Sequence, residues 1–88
     1  MKLSDYLGQE RGRIAAVARA VGMAPAFLWQ IANKRREMPV EYGARIEAAT
    51  ENHVRRWDLR PDDWHLIWPE LVGTEGAPAV EFAEVLQG

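Results

Sequence analysis

Cysteine is absent from the 88 residues. That excludes at once a disulfide-stapled scaffold, a Cys-ligated zinc site and a thiol nucleophile. No apolar run approaches the roughly 18 residues of a membrane span. The opening MKLSDYLGQERGR lacks the continuous apolar stretch of a secretory leader. A cytoplasmic protein with no membrane partner is therefore expected. There is no Gly-rich phosphate loop and no Ser/His/Asp arrangement of catalytic spacing, so no enzyme activity is expected. His53 and His65 are the only histidines, too few converging ligands for a metal site; neither metal nor cofactor is expected. Asp62-Asp63 looks like a carboxylate pair, but adjacent helix positions point apart, and a place at a helix start accounts for both.

The chain length allows one small domain with a modest core. The net charge of −2 looks unsuited to a nucleic-acid binder until it is divided. Eight basic against four acidic residues give residues 1–45 a charge of +4, and three against nine give residues 46–88 a charge of −6. This asymmetry fits a basic working half and an acidic remainder.

Five helices are expected, in an all-α fold. Leu3, Tyr6 and Leu7 share one face of a first short helix, over about 3–10. Ile14, Val17, Ala18 and Val21 recur at i, i+3, i+4 and i+7, the stripe of an amphipathic helix that Gly22 ends. Pro25 suits the first turn of the next helix, where its missing N–H costs nothing. A fourth helix is predicted from Pro39 to about Thr50. Residues 53–60 hold β-formers without clean alternation and read as an extended connection or one short strand. Pro61 then opens a fifth helix, with Asp62 and Asp63 near its positive dipole end. From Val72 the composition shifts to Gly, Pro and acidic residues, giving a domain over 1–71 and an acidic tail over 72–88, with a weak helical pattern at Val80 to Leu86.

Residues 14–33, IAAVARAVGMAPAFLWQIAN, carry the functional signal. A helix-turn-helix needs a small residue where its helices cross, and Ala18 supplies it. It needs a residue tolerating positive φ in the turn, and Gly22 supplies that. Val17, Val21, Met23, Leu28 and Ile31 fill the apolar angle. The outer face of the recognition helix, about 25–33, then holds Ala24, Pro25, Ala26, Trp29, Gln30 and Asn33 as candidate base contacts. Gln30 and Asn33 are amides able to pair with adenine, and the small residues suit a thymine methyl. Trp29 either meets DNA or folds back onto the protein. Lys34, Arg35 and Arg36, just past this helix, and Arg13, before it, are the candidate phosphate contacts.

The segments MKLSDYL, RGRIAAVARAVGMAPAFLWQIANKRR and RRWDLRPDDWHLIWPEL resemble the Cro-like and YdaS-like regulators of phages and prophages, some of them grouped as antitoxins. The resemblance covers roughly residues 1–71. It implies a helical Cro-like helix-turn-helix fold, binding to double-stranded operator DNA, and a homodimer in a bacterial or phage-infected cell. Two positions depart from the common pattern. Ile14 stands where many such proteins place a phosphate-contacting Gln. Ala24 replaces a Ser or Thr that caps the recognition helix, which forgoes about 1 kcal/mol of helix stability.

The spacing of Trp57, Trp64 and Trp68 fits packing in a core or subunit interface better than an aromatic platform for single strands. Trp57, Trp64, Ile67, Trp68 and Leu71 are accordingly the candidate homodimer contacts. Two further readings stay open: an antitoxin whose C-terminal region binds a toxin partner, and a helical adaptor that binds no DNA.

Overall fold

A computed structural model describes residues 1–80. Six α-helices follow in order: α1 (Leu3–Gly8), α2 (Arg13–Val21), α3 (Pro25–Ala32), α4 (Gly43–Ala49), α5 (Arg56–Leu59) and α6 (Trp64–Ile67). Single 3-10 turns precede α4, at Val40–Tyr42, and follow α6, at Pro69–Leu71. The all-α character matches the expectation, and no strand occurs among the described residues. The helical pattern expected from Val80 to Leu86 lies, beyond Val80 itself, outside the described residues.

Differences begin after Met38. Pro39 is extended rather than helical, and α4 starts only at Gly43. A Cβ on Gly43 would lie 2.6 Å from Cζ2 of the Trp68 ring, so the helix begins where its backbone can approach that indole. Beyond α4 the chain reverses through Glu51 and Asn52, both at positive φ. The fully buried Thr50 hydroxyl holds this reversal, donating to the Ile46 carbonyl at 2.9 Å and accepting from the Val54 N–H at 3.2 Å.

Residues 53–60 form no strand but contain α5. Four residues are too few to make a stable helix alone; one tertiary contact and one local capping contact satisfy its first donors. The Glu47 carboxylate accepts from the Arg56 N–H at 3.1 Å, and Asp58 accepts from the Arg55 N–H at 2.8 Å. The fifth helix expected from Pro61 starts instead at Trp64, with Asp62 and Asp63 in the preceding turn.

The core runs from Leu3 through Val17, Val21 and Leu28 to Ile46, Val54 and the Trp57, Trp64, Trp68, Leu71 group. The indoles of Trp57 and Trp64 meet edge to face, centroids 5.7 Å apart. Four of the five candidate dimer contacts are therefore buried within one protomer, and Ile67 packs half-buried against them. Within the single chain these side chains pack on one another and on the rest of the core. Val72, Ala77 and Val80 also pack on the core, so packing does not stop at the boundary expected after residue 71.

Candidate nucleic-acid interface

The chain direction turns by 105° between α2 and α3, within the range for a helix-turn-helix. Ala18 is fully buried, which lets the two helices approach. Its carbonyl accepts from the N–H groups of both Gly22 (2.8 Å) and Met23 (3.0 Å), and Gly22 takes φ +88°. That closes α2 with a left-handed cap and frees Pro25 to start α3. Leu28 and Ile31 point into the core, with Phe27 and Met23 half-buried beside them.

The opposite face of α3 is open. Ala24, Pro25, Ala26, Trp29 and Asn33 are exposed and Gln30 is half-exposed. Trp29 remains 47% accessible, so it has not folded into the protein. Ala24 makes no side-chain cap, as its side chain dictates.

The end of α3 decides where the cations go. Lys34 adopts φ +59°, and the Arg35 N–H reaches back to the Gln30 carbonyl at 2.8 Å. The chain thereby reverses, and two arginines lie back along α3 rather than trailing away from it. The Arg35 guanidinium sits 5.8 Å from the centre of the Trp29 ring, and that of Arg36 sits 5.1 Å from Phe27. Arg36 Nε donates to Gln30 Oε1 at 3.1 Å. Asn33 Nδ2 donates to the Trp29 carbonyl at 2.9 Å.

Lys34, Arg35 and Arg36 form no ion pair with the described residues, whereas the arginines of the acidic half do. Arg55 and Arg56 face Glu47, and Arg60 faces Asp63 and Glu37. Lys2, Arg11, Arg19 and Arg45 are likewise without an ion pair among the described residues, but only at the end of α3 do three such cations stand consecutively.

Arg13 lies elsewhere. Its guanidinium donates to the Tyr6 carbonyl (3.0 Å), Gln9 Oε1 (3.0 Å) and Glu10 (2.6 Å), and covers the Tyr6 ring at 4.3 Å. It pins α1 to α2, and its charge is paired with that of Glu10.

Sequence reasoning missed Arg60. This side chain forks onto Asp63 through Nε (3.1 Å) and Nη2 (2.7 Å), and its Nη1 donates to the Met38 carbonyl at 2.9 Å. The LRPDDW stretch is thus a clamp holding the segment that follows the cationic cluster. The hydrogen bond from Arg60 holds the Asp63 carboxyl below its ordinary range, and Asp63 reciprocally raises Arg60. A carboxyl with a depressed folded pKa stabilises above its unfolded value, about pH 4, and loses that contribution as pH falls through the folded value. Asp63→Asn should therefore flatten the loss of stability on acidification below about pH 5. Urea unfolding at a series of pH values tests this, and parallel curves for both proteins would refute the clamp.

No curated protein matches the chain. A family model described as bacterial toxin YdaS matches residues 6–67, a span running from within α1 to the end of α6.

Proposed function

The chain belongs to the bacterial toxin YdaS family, and on that premise we propose that it is a sequence-specific double-stranded DNA-binding regulator of transcription, a repressor of Cro type. One observation carries the reading: the open face of α3 is bordered by three cations with no ion pair among the described residues. In this reading α3 enters the major groove, and Ala24, Pro25 and Ala26 at its start contact base edges and methyl groups. Trp29, Gln30 and Asn33 lie further along the same face. Lys34 and Arg35 neutralise phosphates, which positions the protein without reading sequence. The protein is not an enzyme, needs no cofactor and works in the cytoplasm, where its operator is. A homodimer would set two α3 helices about 34 Å apart on one face of the duplex, joined through a surface other than the buried tryptophan group.

Selection of bound duplexes from a random pool tests this, and enrichment of a pseudo-palindromic motif is expected. No enrichment over the input pool would defeat the reading. Substitutions then separate the roles. Gln30→Ala should relax one operator position and weaken specific binding by ~1–3 kcal/mol while sparing random DNA. Arg35→Ala should weaken binding to all sequences and reduce the salt dependence by about one unit of log–log slope. Identical effects of both substitutions on operator and random duplexes would contradict the division.

The family's description as a toxin favours a second reading, in which the protein belongs to a toxin–antitoxin pair; in that reading its C-terminal region binds the partner. Deleting residues 81–88 tests this while leaving Val72, Ala77 and Val80 on the core. Loss of growth control together with retained operator binding would support it; unchanged behaviour in cells would count against it.

A further inference from the structure

The two amides on α3 are held in opposite senses by partners that can act in only one way. A guanidinium has donors and no acceptor. Arg36 Nε–H, 3.1 Å from Gln30, must therefore meet the amide oxygen, and it does. Gln30 Nε2 makes no hydrogen bond with the described residues. A backbone carbonyl, conversely, only accepts. Asn33 must thus turn its Nδ2 to the Trp29 carbonyl, leaving Oδ1 for a ligand. Arg36 is itself steadied by the Phe27 ring, 5.1 Å from its guanidinium.

We infer that Arg36 is a positioning residue that sets which base Gln30 reads, presenting its amide as a donor to an edge made of acceptors, guanine O6 and N7. The inference rests on the DNA-binding reading. Adenine requires a donor and an acceptor side by side from one amide. Gln30 Oε1 keeps a second lone pair beside its bond to Arg36, but an adenine amino group using it would sit as a second donor next to the guanidinium, whereas guanine takes the free Nε2 donors as they stand. The expected base at this position is therefore guanine, not the adenine that a lone glutamine suggests.

The experiment is motif selection from random duplexes with the wild-type protein, Gln30→Met and Arg36→Met, followed by competition between duplexes differing at one base. Wild type should prefer guanine at the Gln30 position, and Gln30→Met should erase that preference. Arg36→Met removes the constraint on the amide. It should lower affinity for all duplexes and shift the preference there toward adenine by about tenfold, with the Asn33 position unchanged. Guanine preference surviving in Gln30→Met would mean that Arg36 reads the base itself and would overturn the inference. So would adenine preference in wild type, or an unchanged preference in Arg36→Met. Absence of any motif for wild type would defeat the DNA reading and this inference with it. In the free protein, the Arg36 Nε–H resonance should move on Gln30→Met; an unmoved resonance would deny the contact independently of DNA.

Discussion

Trp64→Ala is expected to bring the domain close to unfolding at room temperature. The side chain is 3% exposed and meets Trp57 edge to face, 5.7 Å between centroids. Truncating a buried tryptophan costs about 3–5 kcal/mol through lost transfer energy and the cavity left behind. A single core in a chain of this size supplies roughly that much net stability. The cavity would open beside Trp57, whose ring would lose its aromatic partner. Denaturant unfolding followed by far-ultraviolet circular dichroism reads the loss, and Trp64→Phe should retain more stability than Trp64→Ala. A loss below about 1 kcal/mol would place Trp64 outside the core. Because the same core carries Leu28 and Ile31 on the inner side of α3, any DNA affinity should fall with the folded fraction.

The next largest effect is expected at Glu47, a charged residue only 8% exposed. Its carboxylate accepts from Arg55 Nε at 2.9 Å and from the Arg56 N–H at 3.1 Å, and it lies 3.4 Å from Arg56 Nε. Arg56 Nε is buried and makes no hydrogen bond, so this carboxylate is the charge that compensates it. Removing one partner of a buried pair leaves the other uncompensated, at a cost of about 3–5 kcal/mol. Both arginines retain some contact with water, so Glu47→Ala is placed below that range, at about 2–3 kcal/mol. Glu47→Gln keeps the acceptor for the start of α5 but not the charge, and should fall between wild type and alanine. Equal stability of Glu47→Ala and wild type in urea unfolding would show that α5 needs no such anchor.

Glu47 and the Arg60–Asp63 fork bear on the candidate interface through the chain that follows α3. The Arg60 fork onto Asp63 grips the Met38 carbonyl, four residues beyond Lys34. Glu47 anchors α5, which ends one residue before Arg60. The C-terminal helices thus hold Glu37 and Met38, the segment that follows the reversal carrying Arg35 and Arg36 back along α3. This gives the LRPDDW stretch a physical role beyond its resemblance to a motif.

The sequence alone determined the helix–turn–helix unit, the outer face of α3 and the charge asymmetry. Ala18, Gly22 and Pro25 act on neighbours within one or two turns, so their requirements are written in local spacing. A left-handed cap after α2 and a proline-initiated α3 follow from residue type at fixed offsets, whatever the rest of the chain does. Tertiary structure decided the rest. The stripe of Trp57, Trp64, Trp68 and Leu71 demands an apolar partner but does not say which; only the path of the chain through Met38 and α4 brings it onto its own core rather than a second copy. The helix at 56–59 opposes the local β-forming tendency because Glu47, nine residues before Arg56, satisfies its first donor. The orientations of Arg35 and Arg36 depend on Lys34 accepting a positive φ, a cost of about 1 kcal/mol for a non-glycine residue. Short-range steric rules can be read from spacing, whereas the choice among burial partners depends on where distant segments come to lie.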